Sequence, residues 1–120
     1  MLIIRKAQLD AFARSLRDHF EAQLAAHLRT VHPTRTDSFS PEQLKNLISL
    51  GVDRAAKYGI TLEPDVRRFL EFMLFYGREF DTAVESSWAT AILRRTDLDG
   101  TEKINLLDEY ELFVLGGGPV

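Results

Sequence analysis

The sequence predicts an all-α fold, a single-domain bundle of about five helices with a long N-terminal helix and a central apolar helix. Apolar residues recur every three or four positions along most of the chain, and proline and glycine separate these periodic segments. Residues 72–76 are continuously apolar. Because a helix that is apolar on nearly all sides needs neighbours on nearly all sides, we expect this segment to lie at the centre of the bundle.

Length and composition indicate one soluble domain. The chain has 120 residues, of which 45% are hydrophobic and 28% charged. We predict a helical domain over residues 1–115 and a flexible glycine-rich tail over residues 116–120. No apolar run is long enough for a membrane span and no secretion signal is present, so we expect a cytoplasmic protein. The absence of cysteine excludes disulfide and thiolate chemistry.

Charge is distributed unevenly along the chain. Residues 1–36 carry six basic and three acidic side chains, whereas residues 37–120 carry nine basic and fifteen acidic ones. We interpret these as two solvated faces. A basic first part and an acidic last part would also suit head-to-tail association with a partner or a second copy.

The first predicted helix runs from about Lys6 to His32. Its apolar residues are spaced by three or four positions: Leu9, Phe12, Ala13, Leu16, Phe20, Leu24, Leu28 and Val31. Pro33 ends this helix, because a proline disfavours the helical conformation in the residue before it. We predict a polar loop over residues 33–39.

The second predicted helix has a strong start and a strong end. An N-cap, a first-turn proline and a capping-box partner stand in a row: Ser40, Pro41 and Gln43. Gly51 and Ala55 lie one turn apart and would let another helix approach closely. Gly59 is expected to end the helix in a left-handed conformation, with Ile60 folding back onto it.

The remaining helices are predicted from capping residues and apolar spacing. Thr61 would cap the central helix, which ends near Gly77. Asp81 or Thr82 would cap a helix over residues 83–95, with Val84, Trp88, Ala91 and Ile92 inward and Leu93 a further candidate. Thr101 would cap the last helix, which continues through Ile104, Leu107, Tyr110, Leu112, Phe113 and Leu115.

Motifs for metal binding and catalysis are missing from the sequence. A calcium loop with Gly100 at its sixth position would require ligands at Arg95 and Leu106, which cannot serve. The three histidines have no metal-ligand spacing, so we predict no metal and no cofactor. No nucleophile elbow or phosphate-binding glycine loop occurs, so we predict a non-enzymatic protein. The net charge of −3 argues against nucleic-acid binding.

Protein binding is therefore the predicted activity. The candidate contact residues are six arginines expected on exposed faces and one aromatic residue near the end of the chain: Arg14, Arg17, Arg29, Arg67, Arg68, Arg78 and Phe113. Phe113 lies in the apolar run Leu112–Leu115, which would dock into a partner groove or a second copy. Arg54 and Tyr58 are interpreted as structural.

Residues 48–61 resemble a group of small helical bacterial proteins that share a Gly-Val-x-Arg-Ala-x-x-Tyr-Gly-Ile-Thr pattern. Phe80-Asp81-Thr82 and Trp88-Ala89 match later parts of the same pattern, and the resemblance covers most of residues 44–95. Such proteins are often encoded beside secreted toxins or contractile (type VI-like) secretion components. The resemblance implies an adaptor, effector chaperone or immunity protein, and it implies no catalytic residues.

Two alternatives remain open. The first is a small ligand-binding or enzymatic bundle with a pocket near Tyr58, Tyr76 and Trp88. The second is a structural homodimer formed through the long helix.

Overall fold

A computed structural model describes residues 5–116, and their regular secondary structure is entirely helical. The helices in chain order are α1 (Lys6–Val31), α2 (Pro33–Thr36), α3 (Pro41–Lys57), α4 (Glu63–Tyr76), α5 (Ser87–Leu93) and α6 (Gly100–Phe113). A 3₁₀ turn over Val84–Ser86 leads into α5. The predicted all-α fold is confirmed, although the predicted loop after Pro33 contains the short helix α2. Of the predicted tail, residues 117–120 lie outside the described residues.

Helix α4 lies at the centre of the bundle, as its apolar sequence predicts. It packs against α1, α2, α3 and α6. Five of its side chains are buried: Val66, Phe69, Leu70, Phe72 and Met73. The apolar core also draws on every other α-helix except α2, together with Ile60 and Phe80 from the connections.

The predicted ends of α3 are confirmed. The Ser40 hydroxyl accepts a hydrogen bond from the Gln43 backbone N–H at 3.1 Å, and the Gln43 side chain accepts one from the Ser40 N–H at 2.8 Å. At the other end, Gly59 has a φ of 79°. The N–H groups of Gly59 and Ile60 donate to the carbonyls of Ala56 and Ala55, which is a Schellman motif.

Three other predicted caps are wrong. Leu62, not Thr61, is the N-cap of α4, and it makes no side-chain cap. Asp99, not Thr101, caps α6 through a capping box with Glu102. Neither Asp81 nor Thr82 caps α5, because its N-cap is Ser86. At α6 a tertiary contact accounts for the difference, because the Thr101 hydroxyl donates instead to Asp65 Oδ2 at 2.6 Å.

Several residues predicted to face inward are exposed. On α1, Leu24 and Leu28 are buried, whereas Leu9, Phe12, Leu16 and Val31 are exposed. The same correction applies to Val84 and Ala91. No helix among residues 5–116 is both long enough and apolar enough to cross a membrane.

Gly51 lies where α3 meets α4. A Cβ atom built on it would come within 2.6 Å of Leu70 Cδ2 and 2.9 Å of Met73 Sδ. We expect Gly51→Leu to lower the free energy of unfolding by about 1–3 kcal/mol, because overpacking outweighs the gain in helix propensity. Urea denaturation measures this change.

Asn46→Leu, at an exposed position of the same helix, is the matched control and should change stability by less than about 0.5 kcal/mol. A Gly51→Leu variant as stable as the control would show that α3 and α4 do not need the close approach.

Candidate protein-binding surfaces

The sequence predicted that Arg68 lies on an exposed face. Its side chain lies instead in a cluster of carboxylates between α4 and α6. Its guanidinium contacts Asp108 Oδ1 at 2.6 Å and Glu111 Oε1 at 2.6 Å, and it lies 3.9 Å from Glu71 Oε1. The same group stands 4.4 Å from the centroid of the Phe72 ring. Arg68 is thus committed to internal contacts.

Two further side chains join the Arg68 cluster, one from the end of α1 and one from α4 itself. His32 Nε2, directly after α1, lies 2.5 Å from Glu71 Oε2, and the Tyr76 hydroxyl donates to Glu111 Oε2 at 2.8 Å. Burial and the hydrogen bond to Glu111 raise the pKa of Tyr76. Burial also raises the pKa of Asp108, against the lowering effect of Arg68. Because each carboxylate faces a basic or phenolic group, this arrangement joins helices and offers no free base.

Arg17 and Arg29 also bond within the chain. Arg17 contacts Glu21 Oε2 at 2.5 Å and Asp53 Oδ1 at 2.9 Å, which ties α1 to α3. The hydrogen bonds to Glu21 and Asp53 raise the pKa of the Arg17 guanidinium.

Arg29 holds the α1–α2–α3 connection. Its two Nη atoms donate to the carbonyl oxygens of Thr36 at 2.9 Å and Phe39 at 2.8 Å. Arg17, Arg29 and Arg68 thus make contacts within the chain, and their participation in partner binding stays a prediction.

Arg14, Arg67 and Arg78 are exposed, as predicted. Arg67 lines a cavity of about 170 Å³ beside Phe20. Arg78 lines a larger cavity of about 510 Å³ between α3 and α4, whose floor includes Leu47 and Met73. Their participation in partner binding stays a prediction.

Arg54 and Tyr58 hold the link between α4 and α5. Arg54 Nη2 donates to both carboxylate oxygens of Glu79 at 2.9 Å, and its Nη1 donates to the Arg78 carbonyl at 2.6 Å. The Tyr58 hydroxyl donates to the buried carboxylate of Asp81 at 2.7 Å. Burial and this hydrogen bond raise the pKa of Tyr58 to about 12.

Of the three residues predicted to line a pocket, Tyr58 lines an open cavity of about 600 Å³ that also includes Leu93 and Lys103, whereas Tyr76 and Trp88 pack against other aromatic rings. Trp88 stacks on Tyr110 with ring centroids 4.9 Å apart and meets the edge of Tyr76 at 5.4 Å. Tyr58 packs instead against Phe69, with centroids 6.1 Å apart. Among residues 5–116, no group of three or more His, Cys, Asp or Glu is arranged to hold a metal ion.

The first exposed apolar surface lies at the end of α6. We define the C-terminal patch as Leu112, Phe113, Val114 and Leu115, of which Phe113 is 78% exposed. Glu102 and Glu109, on the solvent side of α6, are exposed as well. The patch is therefore a run of apolar side chains on an acidic helix, as the sequence suggested.

The second exposed apolar surface lies on the first half of α1. We define the α1 stripe as Leu9, Phe12 and Leu16, which are 52%, 62% and 55% exposed. The stripe leads into a groove of about 270 Å³. This groove is lined by residues of α1, α3, α4 and the α3–α4 connection: Leu16, Arg17, Phe20, Val52, Ala56, Ile60, Thr61, Glu63 and Val66.

The sequence analysis missed the α1 stripe, although helix lengths gave a signal for it. Helix α1 has 26 residues, whereas α3 and α4 have 17 and 14. At about 1.5 Å per residue, α1 is longer than either helix beside it, so part of its apolar face has nothing to cover it.

Comparison of the chain with models of protein families, with curated proteins and with solved structures gives no match.

Replacing Arg68 tests the role of the carboxylate cluster. We expect Arg68→Met to lower the free energy of unfolding by about 3 kcal/mol, because it leaves partly buried carboxylates without their cation. The neighbouring Arg67→Met should change it by less than about 0.5 kcal/mol. Urea denaturation of both variants provides the comparison, and equal effects would refute a structural role for Arg68.

The hydrogen bond between Tyr58 and Asp81 predicts a loss of stability at alkaline pH. The folded protein holds the phenolic proton up to about pH 12, whereas the unfolded chain releases it near pH 10.0. Stability that this proton contributes is present below pH 10 and is lost as the pH rises towards 12. The stability difference between wild type and Tyr58→Phe should therefore shrink between pH 9 and pH 11 in urea titrations. A difference that stays constant would contradict this account.

Proposed function

We propose that the chain is a non-enzymatic accessory protein that binds another protein through its C-terminal patch. The observation that carries the proposal is the exposure of four consecutive large apolar side chains at the end of α6. Clustered apolar exposure of this kind is typical of a protein-binding site. An adaptor, effector chaperone or immunity protein in a bacterial secretion or toxin system is the role we favour, on the resemblance of residues 48–61.

Charge defines the kind of partner. From residue 97 onward the chain carries six acidic side chains and one lysine. Two copies of the patch would bring these acidic helices together, and like charges disfavour such a contact. We therefore propose that the patch enters an apolar groove with a basic rim on a different protein.

Site-specific crosslinking tests the proposal. A photo-reactive amino acid replaces Phe113 in the full chain, and the captured protein is identified and purified. We expect Phe113→Asp to weaken binding of that purified protein by at least about tenfold in calorimetry, because a buried aromatic anchor contributes 1–2 kcal/mol or more. Val84→Asp, at another exposed apolar position, should leave binding unchanged.

Three results would count against the proposed partner. The first is binding that survives Phe113→Asp. The second is binding that is insensitive to salt, because an acidic helix on a basic rim predicts weaker association at high ionic strength. The third is crosslinking of position 113 only to another copy of this chain.

A further inference from the structure

Within residues 5–116, no element covers the first half of α1. Every residue from Lys6 to Leu16 is exposed. At 100° per residue, the three side chains of the α1 stripe share one face with Ala13 and Phe20. An amphipathic helix gains most of its stability from packing of its apolar face. We therefore expect this face to pack against a partner.

The geometry points to a second copy of this chain as that partner, with the two α1 helices packed antiparallel about a two-fold axis. In the register that sets Leu9 against the second copy's Leu16, Phe12 lies against the second copy's Ala13. At the centre of the pair, the large Phe12 side chain of each copy then packs against the small Ala13 side chain of the other. The stripe is thus complementary to itself.

Charges beside the stripe favour the same arrangement. Asp10 and Arg14 are exposed and lie on one flank of the stripe. In a two-fold antiparallel pair this flank faces the same flank of the second copy. Asp10 therefore lies within a turn of the second copy's Arg14. A parallel pair would instead place Phe12 against Phe12 of the second copy, and the charged flank against the opposite flank, which carries Gln8. It would therefore form neither the Phe12–Ala13 contact nor the Asp10–Arg14 contact.

In the antiparallel pair each copy presents the same stripe to the other, so the contact is reciprocal. It therefore closes a dimer and does not propagate into a filament.

Sedimentation equilibrium of the full chain tests the dimer. We expect the mass to rise from one chain to two between roughly 1 and 500 µM protein. Phe12→Asp should weaken the dimer at least about tenfold. Phe12 is exposed, so circular dichroism should show an unchanged fold. Phe113→Asp is the control that leaves the dimer intact, which keeps this test separate from that of the proposed function.

Disulfide trapping tests the register, since the chain has no cysteine of its own. A mixture of Leu9→Cys and Leu16→Cys chains should form a crosslinked dimer under mild oxidation, whereas Leu9→Cys alone should not. A charge exchange adds a further test: Asp10→Arg and Arg14→Asp should each weaken the dimer, and the double variant should restore it.

Three results would overturn the dimer proposal. One is a single-chain mass at about 500 µM, and another is a dimer that survives Phe12→Asp. Efficient crosslinking of Leu9→Cys alone would indicate parallel helices, and a mass beyond two chains that depends on Phe113 would indicate head-to-tail association.

Discussion

The contact between α3 and α4 at Gly51 is the constraint on which the rest of the bundle depends. Without a side chain at this position, Leu70 and Met73 of α4 fill space that any other residue would occupy. Close packing here buries one side of the most apolar helix. The other sides of α4 are then left for α1, α2 and α6.

Polar contacts fix where those other helices lie on α4. Glu71 is bonded to His32 from the end of α1, and Arg68 is paired with Glu111 of α6. A shift of α6 by one turn would leave these partly buried charges unpaired, at a cost of several kcal/mol. The apolar core thus drives the helices together, and the charges select their alignment.

Local sequence predicts much of this fold and little of its surface. The Ser40 capping box and the Gly59 helix end depend on residues within one turn, so sequence alone identifies them. The two carboxylates closest to Arg68, those of Asp108 and Glu111, lie about 40 residues away in the sequence, and no residue near Arg68 predicts them. An arginine is usually exposed, so the residue type gave the wrong expectation here. The spacing of apolar residues likewise predicted an apolar face on α1, but it did not show where the helices that pack against this face end.

The two uncovered surfaces differ in the contacts that their charges allow. The C-terminal patch sits on an acidic helix and repels its own copy, whereas the α1 stripe carries Asp10 and Arg14 on the flank that would face its own copy. On the two proposals, like surfaces associate at α1 and unlike surfaces at α6. A dimer joined through α1 presents two C-terminal patches. For a partner with repeated sites, the second contact would then form at high effective concentration, so a weak patch still supports a lasting complex.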